Sequence, residues 1–266
     1  MIKVSRSEYY KNIRKPQSEK TAEEKAVINC FEKNKGCYGR IRIRKALKEQ
    51  NIEISEYRIS KILKANGLVA KSGRKRKSRS SRPTEQQYIE ENLIKDKFSI
   101  ATPNYLWCSD ISELKCRSGK FYVCGIIDVA TRRIVGWSVN RTQRQEIVQE
   151  AFKMAIGRNP ERPEGAIYHS DRGCQYTALK TKKLIEENGF RKSMSRPGKP
   201  SDNQPIESFW KTLECEIDEL GSLTFSAAAL KVSEYIELYY NSERLHSGIN
   251  YHIPNDFLTL LPVHHS

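Results

Sequence analysis

The sequence predicts an α/β chain, a mixed sheet flanked by helices, preceded by an all-α, helix-turn-helix-like module. Three observations lead there. Strand-like runs over 105–114, 121–129 and 132–140 follow one another too closely for anything but antiparallel pairing, and helix and strand patterns then alternate toward the C-terminus. Upstream, short runs carry apolar residues at helical spacing, joined by links of a few residues. Charge divides the chain in the same place. The 266 residues carry a net +15, yet 1–98 hold 26 Lys/Arg against 12 Asp/Glu, whereas 99–266 hold 21 against 20. A basic arm on a near-neutral domain is the electrostatic footprint of nucleic-acid binding.

In order, residues 7–34 are predicted helical with a break at Pro16. Ser18 or Thr21 caps the part running to Lys33, Ala26, Val27, Cys30 and Phe31 form its apolar stripe, and Gly36 stops it. From Tyr38 to Leu47 a second helix turns Ile43, Ala46 and Leu47 inward and its basic residues outward. After a short link, Ser55 caps a third, with Ile59, Ile62 and Leu63 buried and Gly67 at its end. Helix, link, helix with a basic outer face suggests helix-turn-helix, placing Tyr57, Arg58, Lys61 and Lys64 near DNA; a hairpin with a solvated face has the same spacing. Lys71–Pro83 lacks apolar residues and holds seven Lys/Arg, Arg74, Lys75, Arg76 and Lys77 among them. In this setting it reads as a phosphate-contacting linker. A short helix is expected over 84–97.

The larger domain opens at Ala101 with the three strands. A helix over 143–156, a strand over 167–171, a helix over 177–188 stopped by Gly189, and a strand over 190–195 follow. Next comes a helix starting near Asp202 or Asn203, and then one over 227–240. The tail from Tyr251 to Leu258 is expected to pack back on the core. The segments are therefore 1–70, the helical module; 71–100, the basic linker and short helix; 101–221, the catalytic-type core; and 222–266, a helical extension. No apolar run approaches the roughly 20 residues of a membrane span, and Met1–Arg6 lacks a signal-peptide core, so a cytoplasmic protein is expected. Seven cysteines without a C-x-x-C pair read as buried, reduced thiols.

Three carboxylates stand out. Asp110 lies in a strand-like apolar run, Asp171 ends the Ile167 strand, and Glu207, with 35 residues between it and Asp171, sits early in a helix. Three like charges gathered together have little structural use, but they suit divalent cations, which take hard oxygen ligands. Other acids have simpler readings. Asp128, beside Thr131 and Arg132, reads as a turn-stabilising acid, and Asp202, the rival to Glu207, reads as a helix N-cap. His169 reads as a core residue, since Mg²⁺ prefers oxygen.

Trp107-x-x-Asp110-Ile111, then His169-Ser170-Asp171-Arg172-Gly173, then Asp202-Asn203-x-x-x-Glu207-Ser208-Phe209 resembles the catalytic core of DDE transposases and retroviral integrases. More closely, the chain is similar to the second-frame (OrfB) subunit of transposases from the insertion-sequence family numbered three. The similarity extends to Val4-Ser5-Arg6-Ser7-x-Tyr9-Tyr10, Tyr38-Gly39 with Arg42-Ile43, Glu91-Asn92-Leu93 and Tyr240-Asn241-x-x-Arg244-x-His246. Two positions depart from the family pattern. Glu214, seven residues after Glu207, stands where a Lys or Arg is usual, with Lys211 the nearest replacement, and Ile41 stands where Arg is frequent.

The resemblance implies an RNase H-like fold with Asp110, Asp171 and Glu207 as catalytic residues and metal ligands. They would hold two Mg²⁺ ions, with Mn²⁺ as a substitute, Asp110 bridging both. It implies DNA cleavage at insertion-sequence ends followed by strand transfer. It also implies double-stranded DNA, both element ends and target, as the partner, engaged by a homo-oligomer, and an upstream first-frame subunit or frameshift fusion. A place on the bacterial nucleoid follows. The alternative, a non-catalytic DNA-binding regulator, accounts for 1–82 but leaves the three acids without a purpose.

Overall fold

The computed structural model describes residues 20–71, 90–94 and 102–260, and the chain divides into two units, 1–71 and 72–266. In the first unit local signals set each boundary. Thr21 accepts the Glu24 N–H while the Glu24 carboxylate reaches back to the Thr21 N–H, a capping box that starts α1 (Ala22–Lys33). Gly36, at φ +71, ends the turn that follows, against the Phe31 ring. Helix α2 (Arg40–Glu49) buries Ile43 and Leu47. Ser55 caps α3 (Glu56–Ala65), which buries Ile59, Ile62 and Leu63 against the other two helices. The expected helices are therefore present from Thr21 onward. Their outer faces carry Arg40 and Arg44 paired with Glu56, and Arg58 paired with Glu23.

The second unit is built on a five-stranded sheet in the order β3-β2-β1-β4-β5. Strands β1 (Leu106–Cys116), β2 (Gly119–Asp128) and β3 (Ile134–Asn140) form the antiparallel meander that their close spacing required. Strands β4 (Ile167–Ser170) and β5 (Arg191–Met194) add in parallel on the other side of β1. Parallel strands need crossovers, supplied by α4 (Gln145–Arg158) before β4 and by α5 (Cys174–Thr177) and α6 (Leu179–Glu187) before β5. Side-chain alternation splits β1 between two cores. Leu106, Cys108, Leu114 and Cys116 face one layer with Ile206, Phe209 and Trp210; Trp107 faces the other with Phe152, Tyr168 and Phe190. Helix α4 lies so close to β3 that a Cβ on Gly136 would stand 2.3 Å from the Ala151 carbonyl oxygen.

Four elements differ from expectation. The single helix over 177–188 is two, because Ala178 is extended (ψ 135°) between α5 and α6. Residues 90–94, the described part of the expected helix over 84–97, are not helical. Instead they lie along β5, where the Glu91 carbonyl accepts the Met194 N–H and Leu93 N–H donates to Ser193 Oγ. A one-turn 3₁₀ segment, Pro200–Asn203, precedes α7 (Gln204–Glu216). The helix over 227–240 runs as α8 (Phe225–Glu234) and then a π-helical turn, Tyr235–Tyr240. The tail does return to this unit: after α8, His246 and His252 bridge, Asn255 N–H donates to the Asn241 carbonyl, and α9 (Pro254–Leu260) follows. The basic run Arg74, Lys75, Arg76 and Lys77 lies outside the described residues. Among the described residues no helix is long and apolar enough to cross a membrane, and the cysteines form no disulfide; five are buried as expected, but Cys174 is exposed and Cys215 half-buried.

Candidate active site

Asp110 sits within β1 and pairs across to Gly125 on β2. Directly opposed residues on antiparallel strands share a face, and Gly125 faces α7: a Cβ there would lie 2.9 Å from Trp210 Cη2 and 3.3 Å from Ile206 Cδ1. The missing side chain lets α7 approach the sheet at this point. Asp110 therefore stands on the α7 face, in agreement with Cys108 two residues before it. The parallel register of β1 with β4 runs from Leu106↔Ile167 to Ser109↔Ser170. Asp110 and Asp171 are the residues that immediately follow its last pair, Ser109↔Ser170. Ile167 packs in the α7 layer while Tyr168 packs in the other, so alternation carries Asp171 to the α7 side as well.

Glu207 enters from the helix. Its neighbours Ile206 and Trp210 are buried and it is itself half-buried, at the margin of the packed stripe. Asn203, one turn earlier, donates from Nδ2 to the Ser109 carbonyl at 2.8 Å, which ties the start of α7 to the residue before Asp110. All three acids are thus carried by elements that meet where β4 ends.

The electrostatics agree. Burial pushes the Cys124 thiol up to about 12, and both Asp110 and Asp171 add to that push. Tyr176 is raised for the same reasons, burial first, and its hydroxyl is 3.0 Å from Ser109 Oγ. Asp171 is exposed at its edge, but the protein mass around its carboxyl raises its pKa, opposed by the Gly173 N–H donating to Oδ1 at 2.9 Å. Among the described residues, no three His, Cys, Asp or Glu side chains are gathered tightly enough to enclose an ion as they lie.

The other acids have structural employment. Asp202 is fully buried and does not cap α7 with its side chain, contrary to expectation. Its Oδ2 accepts from the Arg196 N–H and Nε at 2.8 Å each and from Asn92 Nδ2 at 2.9 Å; its Oδ1 accepts from Arg196 Nη2 at 2.7 Å. A fork-shaped cation and a buried amide out-compete the helix N–H groups for that carboxylate. Asp128 is the expected turn acid, accepting from the Thr131 N–H and hydroxyl and from the Asn104 N–H. His169 is buried, its two ring nitrogens paired with Ser193 and Ser195, and burial pushes its pKa down to about 4.

Of the residues expected at DNA, Arg58 pairs with Glu23 at 3.4 Å and Lys61 lies over the exposed Tyr57 ring; both, with Lys64, are on the outer face of α3. Lys211 is exposed one turn after Glu207, as is Glu214 further along α7. Sequence reasoning missed Asn203, Arg196 and Asn92. Two had carried a signal, Asn203 within Asp202-Asn203-x-x-x-Glu207 and Asn92 within the Glu91-Asn92-Leu93 fragment.

Comparison with known proteins decides the family. Integrase core domain models match residues 101–200 and 188–254, and an HTH-like domain model matches 18–76. The chain is 35% identical to the transposase of insertion sequence element IS904 from Lactococcus lactis, over 91% of this chain and 96% of that one. It belongs to the IS3-family insertion-sequence transposases. The InsF transposase of IS3A from Escherichia coli K12 is 31% identical over 87% of this chain and 80% of its own length, and a 31 kDa protein of IS600 from Shigella sonnei is 33% identical over 92% of each. An IS3-family transposase is an enzyme that acts on DNA, and the two matched parts divide its work: the second unit has the RNase H-like integrase core, and the first has the HTH-like DNA-binding domain. The sheet order, the helices on both faces and the helical N-terminal module agree with what the resemblance implied.

Proposed function

We propose that Asp110, Asp171 and Glu207 are the catalytic residues for cleavage of insertion-sequence ends and strand transfer, and that their carboxylates hold two Mg²⁺ ions, for which Mn²⁺ substitutes. The observation that supports this most is the β1–β4 register, whose last pair, Ser109↔Ser170, immediately precedes Asp110 and Asp171. The donor set fits: three carboxylates supply hard oxygens, while the one nearby imidazole, His169, is taken up by Ser193 and Ser195. Carboxylates repel one another without a counter-cation, a repulsion that such ions would relieve. When bound, the ions polarise the phosphodiester and lower the pKa of the attacking water or 3′-OH.

The protein's own contribution is placement. Two strands and a helix fixed by Asn203 hold the acids, and no side chain attacks covalently. A water first displaces the 3′-oxygen at the element end; the freed 3′-OH then displaces a 3′-oxygen of target DNA in the same site. Lys211 meets the phosphate backbone near Glu207. Arg58, Lys61 and Lys64 on α3, with Arg74, Lys75, Arg76 and Lys77, contact the duplex. The domains are 1–70 for DNA binding, 71–100 as linker, 101–221 as catalytic core and 222–266 as an extension packed on it. The active assembly is a homo-oligomer on paired element ends, joined by an upstream first-frame subunit or fused to it by frameshifting, working on the nucleoid in the bacterial cytoplasm.

Nicking of supercoiled plasmid in Mg²⁺ or Mn²⁺ tests the site. Asp110→Ala, Asp171→Ala and Glu207→Ala should each lose nicking and keep DNA affinity. Asp202→Ala should instead lower the melting temperature, because it strands the Arg196 fork. Normal nicking by Glu207→Ala together with loss in a well-folded Asp202→Ala would show the wrong third acid. A wild-type chain that binds DNA but never nicks would be a regulator.

A further inference from the structure

Residues 90–94 belong to the stretch between the helical module and the sheet, and they dock on β5 and the elements beside it. Glu90 pairs with Lys182 on α6. The Glu91 carbonyl and the Leu93 N–H bond to Met194 and Ser193. Ile94 is 3% exposed and packs in the α7 layer with Ile206 and Phe209. Between them Asn92, also buried, folds its side chain both ways: Oδ1 accepts the Ile94 N–H at 3.0 Å, and Nδ2 donates to Asp202 Oδ2 at 2.9 Å.

That second bond reaches across the fold. Asp202 belongs to the one-turn 3₁₀ segment, Pro200–Asn203, that launches α7. Its carboxylate is clamped from one side by Arg196, whose side chain is 42% exposed, and from the other by Asn92, which is 7% exposed. The next residue, Asn203, bonds the Ser109 carbonyl beside Asp110, and Glu207 follows one turn later. The buried amide is therefore the inner anchor of the turn that aims Glu207.

We propose that Asn92 is a positioning residue for DNA cleavage and strand transfer: by holding Asp202 it fixes the turn that presents Asn203 and Glu207 to the two Asp residues. The inference rests on Glu207 being the third acid. It gives the Glu91-Asn92-Leu93 fragment a purpose that DNA contact does not, since Asn92 is buried against protein. It also makes part of the interdomain stretch a working piece of the catalytic unit.

The test uses the full chain, with Mn²⁺ binding followed by electron paramagnetic resonance and plasmid nicking followed alongside. Asn92→Ala should weaken Mn²⁺ binding and slow nicking by about ten- to a hundred-fold, the cost of losing a residue that orients a metal-site group, while KM for DNA stays within about two-fold, since such a residue adds no uniform substrate binding. Asn92→Asp sets a second carboxylate against Asp202 and should be as poor. The conservative exchange Asn92→Gln keeps an amide donor for Asp202 and leaves the Arg196 fork untouched, and should recover part of both signals. Glu207→Ala is the control. If it weakens Mn²⁺ binding while Asn92→Ala matches wild type, the inference falls and the catalytic assignment stands. If Glu207→Ala itself binds Mn²⁺ and nicks normally, the assignment falls and takes the inference with it. Loss in Asn92→Ala that the exchange does not recover, with an equal drop in melting temperature, would reduce Asn92 to a structural residue.

Discussion

Asp202 and Glu207 stand five residues apart in the chain, and their surroundings separate them. Asp202 is sealed by Arg196 and Asn92, whereas Glu207 sits half-exposed at the helix margin beside the Asp110 strand. Helix periodicity and strand signals were enough to put Asp110 on a strand, Asp171 at a strand end and Glu207 on a helix. The partners of Asp202 were not legible, because Asn92 lies 110 residues away in the chain and nothing local marks it as a donor to that carboxylate. Asp128 was legible because its partner Thr131 is three residues on. Its burial has a consequence for pH. Desolvation raises its pKa from 3.8 to about 6 against the pull of its hydrogen bonds. Between those values the folded state keeps a proton that the unfolded chain has lost, so stability falls as pH rises through the window, by up to about 3 kcal/mol. An Asp128→Asn chain lacks this titration. Its stability relative to wild type should therefore improve between about pH 4 and pH 7, read by calorimetry at several values; a difference that stays flat would mean that the carboxylate is not desolvated.

At the scale of elements, existence was easier to read than continuity. The meander, α4, α7 and α8 follow from spacing, but Ala178 breaks one expected helix and the π turn interrupts another without any Gly or Pro to announce it. Tertiary bonds account for the latter region. Asn241 exchanges two hydrogen bonds with the backbone of Ile134 at the start of β3, and Arg244 forks onto Glu216 at the end of α7, where the Tyr235 hydroxyl also donates. The C-terminal segment thus grips both the sheet edge and α7, which explains the Tyr240-Asn241-x-x-Arg244 fragment without assigning it chemistry. The Glu216–Arg244 pair is about 4% exposed on each side. Removing one partner leaves a buried charge uncompensated, so Arg244→Met should cost about 3–5 kcal/mol in denaturant unfolding. Replacing both by Met should cost far less, since the pair's attraction is largely offset by the desolvation of its two charges. Equal losses in the single and double variants would show that packing, not charge, holds α7 there.

For the molecule as a whole, the split in charge matches the split in work. The part with the integrase core is near neutral and buries two apolar layers around a sheet, while the N-terminal part carries nearly all the excess of Lys and Arg. Composition alone made that division legible; it could not show that residues 90–94 leave the basic stretch and join the core, because that depends on the free edge of β5. The run Arg74, Lys75, Arg76 and Lys77 tests the electrostatic half. It contains no apolar side chain to bury, so its contribution to DNA binding is phosphate contact, which carries no sequence information. Changing all four to Gln should weaken binding to element ends and to unrelated duplex by the same factor. Each contact removed should also flatten the slope of log K against log salt by about 0.9, because a neutralised phosphate releases its condensed counterion on binding. A salt titration of wild type and variant on both duplexes reads this directly. An unchanged slope would mean that the run stays in solvent, and a loss confined to element ends would mean that it reads bases.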